Sequence, residues 1–270
     1  MSIDEALAFG VEELRGVALR ARYECELILS HILECDRTFL HTHGELEVDE
    51  RRFLELLQRR KSHEPLEYML QKVSFYSHTF YIEKGALIPR PETELVVDMA
   101  LKIIDRYSIK RVCEVGIGSG IISCILALSR DIELLSGDIS SDALKIASVN
   151  IKNFGLQSKI TLVNSDILSN IEGDFELIVS NPPYISSSYK VQKELEYEPK
   201  EALFGGVGGD EFIKKMLLEI KGRCRFFICE IGYDQREPLL EFIDTNSLGE
   251  VEFFKDYAGI DRFFVLEFDI

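Results

Sequence analysis

The sequence predicts an α/β fold: a mostly parallel seven-stranded sheet with a C-terminal antiparallel hairpin, preceded by a small all-α N-terminal domain. Three observations predict it. From about residue 92, short apolar runs alternate with stretches of helical period, the pattern of repeated βα units. The last two apolar runs have only Asp256 to Asp261 between them, too short for a parallel crossover, so they pair as a hairpin. Residues 2 to 70 carry helix caps and helical spacing in place of strand-like runs.

The elements follow in order. Ser2 and Glu5 fit a capping box, and Leu7, Val11 and Leu14 recur at helical offsets behind it. Tyr23, Leu27, Ile28 and Ile32 suggest a second helix. Asp49 caps a third, with Phe53, Leu54, Leu56 and Leu57 on its apolar side. Aromatic and β-branched residues around Ser77-His78 make Val73 to Ile88 a hairpin joining two domains. Then come helix 92–105, strand 111–115, helix 119–129, strand 132–137, helix 141–154 and strand 160–163. Strand 175–180, helix 209–221, strand 224–230, helix 235–244 and strands 250–255 and 262–268 complete the chain. The boundaries are therefore a helical domain over 1–70, a β-hairpin linker over 71–90, and an α/β domain over 91–270.

Composition excludes several classes of protein. No apolar stretch approaches the roughly 20 residues that span a bilayer. The acidic start Met1-Ser2-Ile3-Asp4-Glu5 lacks the order of a secretory signal. Cys25, Cys35, Cys113, Cys124, Cys224 and Cys229 form no C-x-x-C pair and read as free thiols of a cytoplasmic protein. No metal site is expected, and His41-Thr42-His43 alone does not make one. The net charge of −16 opposes extended nucleic-acid binding, and a monomer is expected. Arg51, Arg52, Arg59, Arg60 and Lys61 fall largely on one helix face, either a solvated face or a docking patch.

Chemistry concentrates in two places. Asn181-Pro182-Pro183-Tyr184 directly follows the strand Phe175 to Ser180. Two prolines can continue neither strand nor helix, and they aim the carbonyls of Asn181 and Pro182 with a stiff backbone. Two oxygens and an aromatic face suit an incoming planar –NH2 group, although the segment also serves as a strand-ending turn. Glu114-Val115-Gly116-Ile117-Gly118-Ser119-Gly120 turns from a strand into a helix, where glycines let a ligand approach the backbone. Asp138 ends the next strand and suits a ribose diol, or caps the helix after it. Asp166 ends the third strand within reach of an adenine amino group, with Ile167 packing on the ring. Together these carboxylates and the glycine turn point to an adenosine ligand.

Further segments join them: Glu64-Pro65-Leu66-Glu67-Tyr68, Leu87-Ile88-Pro89-Arg90-Pro91-Glu92-Thr93-Glu94, Tyr197-Glu198-Pro199 and Ala258-Gly259-Ile260-Asp261-Arg262. In this order, with the glycine turn and Ser180-Asn181-Pro182-Pro183-Tyr184-Ile185, they resemble the HemK/PrmC protein-glutamine methyltransferases from about residue 64 to the C-terminus. The resemblance implies a class I, Rossmann-like methyltransferase domain. It also implies transfer from S-adenosylmethionine to the glutamine N5 of the Gly-Gly-Gln loop in peptide chain release factors, docked in part by the helical domain. It implies that Asn181, Pro182 and Tyr184 act in catalysis, and that Pro183, Arg90 and Glu198 help them to hold the substrate. Glu114, Gly116, Ile117, Gly118, Ser119, Gly120, Asp138, Asp166 and Ile167, with Asn181, would hold the cofactor.

Three positions depart from the family pattern. Glu114 stands where Asp is usual and keeps the charge for the methionine ammonium. Ile117 stands where Thr is usual and removes a hydroxyl. Gly208 replaces a commonly acidic residue, implying a looser loop after Gly205-Gly206. Alternative readings are a ribosomal-protein glutamine methyltransferase, an adenine-N6 DNA methyltransferase, disfavoured by the charge, and a nucleotide-sensing module, which leaves Asn-Pro-Pro-Tyr unexplained.

Overall fold

The computed structural model describes residues 1 to 269. It divides into two compact units, one of Met1–Lys72 with Gln192–Tyr197, the other of Val73–Val191 with the chain from Glu198 onward.

The first unit is helical. Ser2 Oγ accepts the N–H of Glu5 and the Glu5 carboxylate accepts the N–H of Ser2, so the capping box closes helix Ile3–Glu13 at its start. Asp49 likewise accepts the N–H of Arg52 and caps helix Glu50–Lys61. These helices pack with Ala21–Leu33 around Ile3, Leu14, Cys25, Ile28, Leu29, Phe53 and Leu57. In the second helix the buried face is centred on Cys25, Ile28 and Leu29, while Tyr23, Leu27 and Ile32 are half-buried. Leu54 is exposed, one position off the buried row of Phe53, Leu56 and Leu57. Short helices Arg37–Thr42 and Leu66–Leu70 had no periodic signal long enough to read.

Four of the five residues of the expected basic face pair within this unit. Arg60 is buried and pairs with Glu24 and Glu194, Arg59 with Glu64, Lys61 with Glu13, and Arg51 with Glu55. His63 and Tyr197 hold the same inserted segment: His63 lies 3.4 Å from Glu194, and Tyr197 donates to the Ser62 carbonyl.

The second unit is built on one seven-stranded sheet: β1 (Arg111–Val115), β2 (Glu133–Asp138), β3 (Ile160–Asn164), β4 (Phe175–Ser180), β5 (Cys224–Glu230), β6 (Gly249–Lys255) and β7 (Asp261–Phe268). The order across the sheet is β6-β7-β5-β4-β1-β2-β3. β1 to β5 run parallel and only β7 pairs antiparallel to its neighbours β5 and β6. Parallel strands covered on both faces are largely apolar, as β4 and β5 are between the exposed Glu176 and Arg225 near their starts and the polar residues at their ends. The hairpin ahead of the sheet is shorter than expected, Val73–Phe75 with His78–Phe80. Tyr76 and Ser77, both at positive φ, make its two-residue turn. Tyr76 binds Glu94 and Asp98, and Tyr81 binds Asn150, which fasten the hairpin to the sheet-bearing unit. Ile185–Ser186 pairs with Phe204–Gly206 in a small parallel ribbon beyond β4, which the sequence did not signal.

Candidate active site

Strand connections reverse direction between β1 and β4, and the turns after β1, β2, β3 and β4 meet there, outside the carboxyl ends of the strands. A cavity of about 310 Å³ opens at this point. Glu114, Gly116, Ile117, Gly118, Ser119, Asp138, Asp166, Ile167, Asn181, Pro182 and Pro183 all line it.

The glycine turn is shaped around open space. Gly116 and Gly118 have φ of 75° and 54°, and a Cβ on either would meet nothing within 4 Å. The N–H groups of Gly116 and Ile117 donate to the Gly137 carbonyl at 2.8 and 3.0 Å, fixing the turn to β2. Gly120 lies behind the cavity and opens helix Ile121–Ser129. Asp138 accepts the N–H of Gly118 on one oxygen at 2.9 Å and that of Ser140 on the other at 2.8 Å. Ser140, not Asp138, caps the following helix. The carboxylate therefore braces the turn while facing the cavity. Asp166 accepts from Lys215 at 2.8 Å and stays half-exposed. Ile167 has φ of 50°, unusual for a β-branched residue, and Ser165 Oγ donating to its carbonyl helps hold it there.

Asn181 sits at the centre. Its Nδ2 donates to Thr93 Oγ1 at 3.1 Å, while its Oδ1 is buried with no hydrogen-bond partner. Thr93 in turn donates to Glu230 at 2.7 Å. Tyr184, Arg90 and Glu198 are not cavity walls. Tyr184 turns its hydroxyl to Glu230 at 3.3 Å, and its carbonyl accepts from Gln235 at 2.9 Å. Glu198 is buried and accepts from Arg90 and from the Ile88 N–H, so the pair ties the Pro-Arg-Pro-Glu-Thr-Glu turn to the loop after the Asn-Pro-Pro-Tyr. That loop packs tightly: a Cβ on Gly205 would lie 2.5 Å from the Pro183 carbonyl oxygen. It is not loosened at Gly208, because Glu211 accepts the N–H groups of Gly208 and Gly209.

Thr93, Glu230 and Gln235 were not singled out from sequence. Glu230 ends β5 just as Asp138 ends β2, so the strand-end rule applied one strand further would have found it. Phe204 and Phe212, also at the cavity, carried no such signal.

Two carboxyls here are held far from their ordinary range. Burial lifts Glu114 to about 8, with Asp138 adding repulsion and hydrogen bonds from Ser123 opposing. Burial lifts Glu230 to about 7. Between the ordinary carboxyl range and these values the folded chain holds protons that the unfolded chain has lost, so both groups make the cofactor-free protein less stable as pH rises from about 4.5 to about 8. The depressed carboxyls Glu26, Glu194 and Glu211 act in the opposite sense only at the acidic start of this window, where their unfolded forms finish titrating. His31, lowered by burial, likewise acts in the opposite sense near its ordinary range. Denaturant titrations across this window should show a flatter pH dependence in Glu114→Gln than in the wild type. Identical curves would mean that Glu114 titrates normally.

All six cysteines are free, and no cluster able to hold a metal occurs among the described residues. Two family models match: the PrmC N-terminal domain over residues 5–70 and the methyltransferase small domain over residues 94–205. The release factor glutamine methyltransferase of Clostridium acetobutylicum is 34% identical over 252 residues, covering 88% of each chain. The chain belongs to the release factor glutamine methyltransferase family. The member from Dictyoglomus turgidum is 37% identical, again over 88% of each chain. That from Clostridium botulinum is 33% identical over 97% of this chain and 98% of its own. Among solved structures, the hMettl16 catalytic domain in complex with MAT2A 3'UTR hairpin 6 superposes with a TM-score of 0.59 at 18% identity, covering 71% of this chain and 76% of that one. The N-terminal domain of human METTL16 in complex with SAH gives 0.53 at 15% identity, over 99% and 94%. At such identities these likenesses speak for the fold that the family shares with other methyltransferases.

Proposed function

We propose that this chain methylates the side-chain amide nitrogen of the glutamine in the Gly-Gly-Gln loop of peptide chain release factors, with S-adenosylmethionine as methyl donor. The observation that carries the reading is the unpartnered, buried Oδ1 of Asn181, a residue in the wall of a cavity suited to a nucleoside. A buried acceptor without a partner costs free energy unless a ligand supplies the donor, and a glutamine NH2 does so.

The cavity fits the cofactor. Its walls are largely apolar, its glycines leave room at the turn, and Asp138 and Asp166 present carboxylates at the ends of β2 and β3. Bound there, S-adenosylmethionine supplies a sulfonium-activated methyl group. Asp138 would hold ribose hydroxyls, Asp166 the adenine amino group beside Ile167, and Glu114 the methionine ammonium. Asn181 Oδ1 and the Pro182 carbonyl would accept the two amide hydrogens of the glutamine, orienting a weak nucleophile and favouring the positive charge that grows on nitrogen. The alkylated nitrogen is acidic enough to release its proton to water, so no side-chain base is required.

Pairing with an ammonium requires Glu114 to give up its proton. Cofactor affinity should therefore rise with pH up to about 8, by at most about tenfold per unit. Calorimetry in buffers of different protonation enthalpy should detect the released proton. A pH-independent affinity, or proton release undiminished in Glu114→Gln, removes Glu114 from the role.

We assign docking of the release factor body to the helical unit, and read the chain as a cytoplasmic monomer. No helix of the described residues is long and apolar enough to cross a membrane. The test offers a release factor, a ribosomal-protein fraction and DNA separately with labelled S-adenosylmethionine, and locates the methyl group by mass spectrometry. The expected product is one N-methylglutamine in the Gly-Gly-Gln loop. Label in DNA adenine, in another glutamine only, or in none overturns the reading.

A further inference from the structure

Glu230 is buried at the end of β5, and the chemistry above makes no use of it. Burying a carboxylate is costly, so the partners that hold it are informative. Thr93 Oγ1 donates to its Oε2 at 2.7 Å, and the Tyr184 hydroxyl donates to its Oε1 at 3.3 Å. A threonine hydroxyl has a single hydrogen. Having given it to Glu230, Thr93 can only accept from Asn181, and Asn181 Nδ2 lies 3.1 Å away. The two ends of an amide have almost the same shape, so hydrogen bonding alone decides which way it points. Here the nitrogen is drawn to Thr93, and the oxygen is left as the unpartnered atom.

We propose that Thr93 and ionised Glu230 are positioning residues that set the orientation of the Asn181 amide, presenting its oxygen to the glutamine nitrogen. The proposal rests on the reading of Asn181 as the group that receives the glutamine amide. With Glu230 ionised, the chain of donors runs from the Asn181 NH2 through the Thr93 hydroxyl to the carboxylate. With Glu230 protonated on Oε2, its O–H donates to Thr93 Oγ1 and the Thr93 hydrogen turns to Asn181. The amide then flips to accept that hydrogen, and its NH2 meets the NH2 of the incoming glutamine. Two donors face each other and the acceptor is lost.

The groups that act on Glu230 come from three neighbouring segments. Thr93 and Glu92 come from the Pro-Glu-Thr-Glu run, Tyr184 from the Asn-Pro-Pro-Tyr, and Arg262 from β7. Glu92 opposes ionisation while Arg262 and the two hydroxyls favour it, and Arg90 with Arg262 acts on Tyr184. Burial outweighs the rest and holds the carboxyl at about 7, so the direction of the chain changes near neutral pH.

The test is the single-turnover rate of methyl transfer to a release factor at saturating S-adenosylmethionine, followed from about pH 5.5 to about pH 9. Saturation removes the pH dependence of cofactor binding through Glu114. The wild-type rate should rise through about 7, and Glu230→Gln should lose that ascending limb. Thr93→Val should be slower by up to about 100-fold with cofactor affinity kept, as for a misplaced catalytic group, and Thr93→Ser should restore rate and profile. A flat wild-type profile, a Thr93→Val enzyme as fast as wild type, or a Thr93→Ser enzyme as slow as Thr93→Val overturns the proposal. Should Thr93→Val fail to fold, the limb decides: its persistence in Glu230→Gln overturns the proposal, and its loss supports it. The underlying reading fails differently, with a wild type that methylates no glutamine at all.

Discussion

Replacing Asn181 with Ala is expected to lower the methyl-transfer rate on the order of 10²–10³-fold, the usual loss when one oriented polar group leaves an active site. The fold should hold. Asn181 is anchored by a single hydrogen bond to Thr93, while the turn around it is secured independently by Ser180 donating to the Val115 carbonyl and by Gln235 donating to the Tyr184 carbonyl. Asn181→Asp is the sharper companion. It keeps the shape but cannot donate to Thr93, and its charge would fall beside the buried Glu230. Rapid-quench kinetics with calorimetry on the same preparations separates rate from binding. A variant transferring methyl groups at the wild-type rate would sink the role; one that unfolds would make the residue a turn element.

Asp138→Ala should produce the second large effect, on the cofactor. Removal of hydrogen bonds to a charged group costs about 1.5–3 kcal/mol, or about 10- to 150-fold in Kd. A further loss is expected, because the same carboxylate accepts the N–H groups of Gly118 and Ser140 and so keeps the glycine turn open. Asp138→Asn isolates that second effect. An amide can accept one of the two N–H groups but turns its own NH2 toward the other, so it too should bind the cofactor less tightly. Unchanged affinity in both variants would falsify the assignment of Asp138.

Much of this was legible in the sequence because the parallel strands are short, apolar and bounded by turn residues. β1, β4 and β5 occupy the residues read from the pattern, and the short Asp256–Asp261 link forced the antiparallel end of the sheet. The residues that line the cavity were legible for the same reason: strand ends and glycine turns lie in fixed places along a βα unit. What escaped was set by contacts distant in sequence. Thr93 and Glu230 are 137 residues apart, and nothing local marks them as partners. The resemblance implies a substrate role for Arg90 and Glu198, and the fold adds that the two pair with each other across 108 residues. Tyr184 was read for its ring face, and its hydroxyl bond to the buried Glu230 carried no local signal. One member of the basic helix face escaped through periodicity: Arg60 falls on the row of Phe53, Leu56 and Leu57 and turns inward to Glu24, while Arg51, Arg52 and Arg59 stay exposed.

The helical unit is assembled from two pieces of chain, and this makes it a poor unit of exchange. Gln192–Tyr197 belongs to it, held where Tyr197 donates to the Ser62 carbonyl and Glu194 meets Arg60 and His63. A chimera that borrows residues 1 to 72 from a relative while keeping its own short segment would join surfaces that were never selected together. Homologous recombination with a single crossover near residue 72 creates that mismatch, whereas a graft that carries Gln192–Tyr197 along avoids it. Viable hybrids in a shuffled library should therefore inherit both pieces from one parent more often than chance allows.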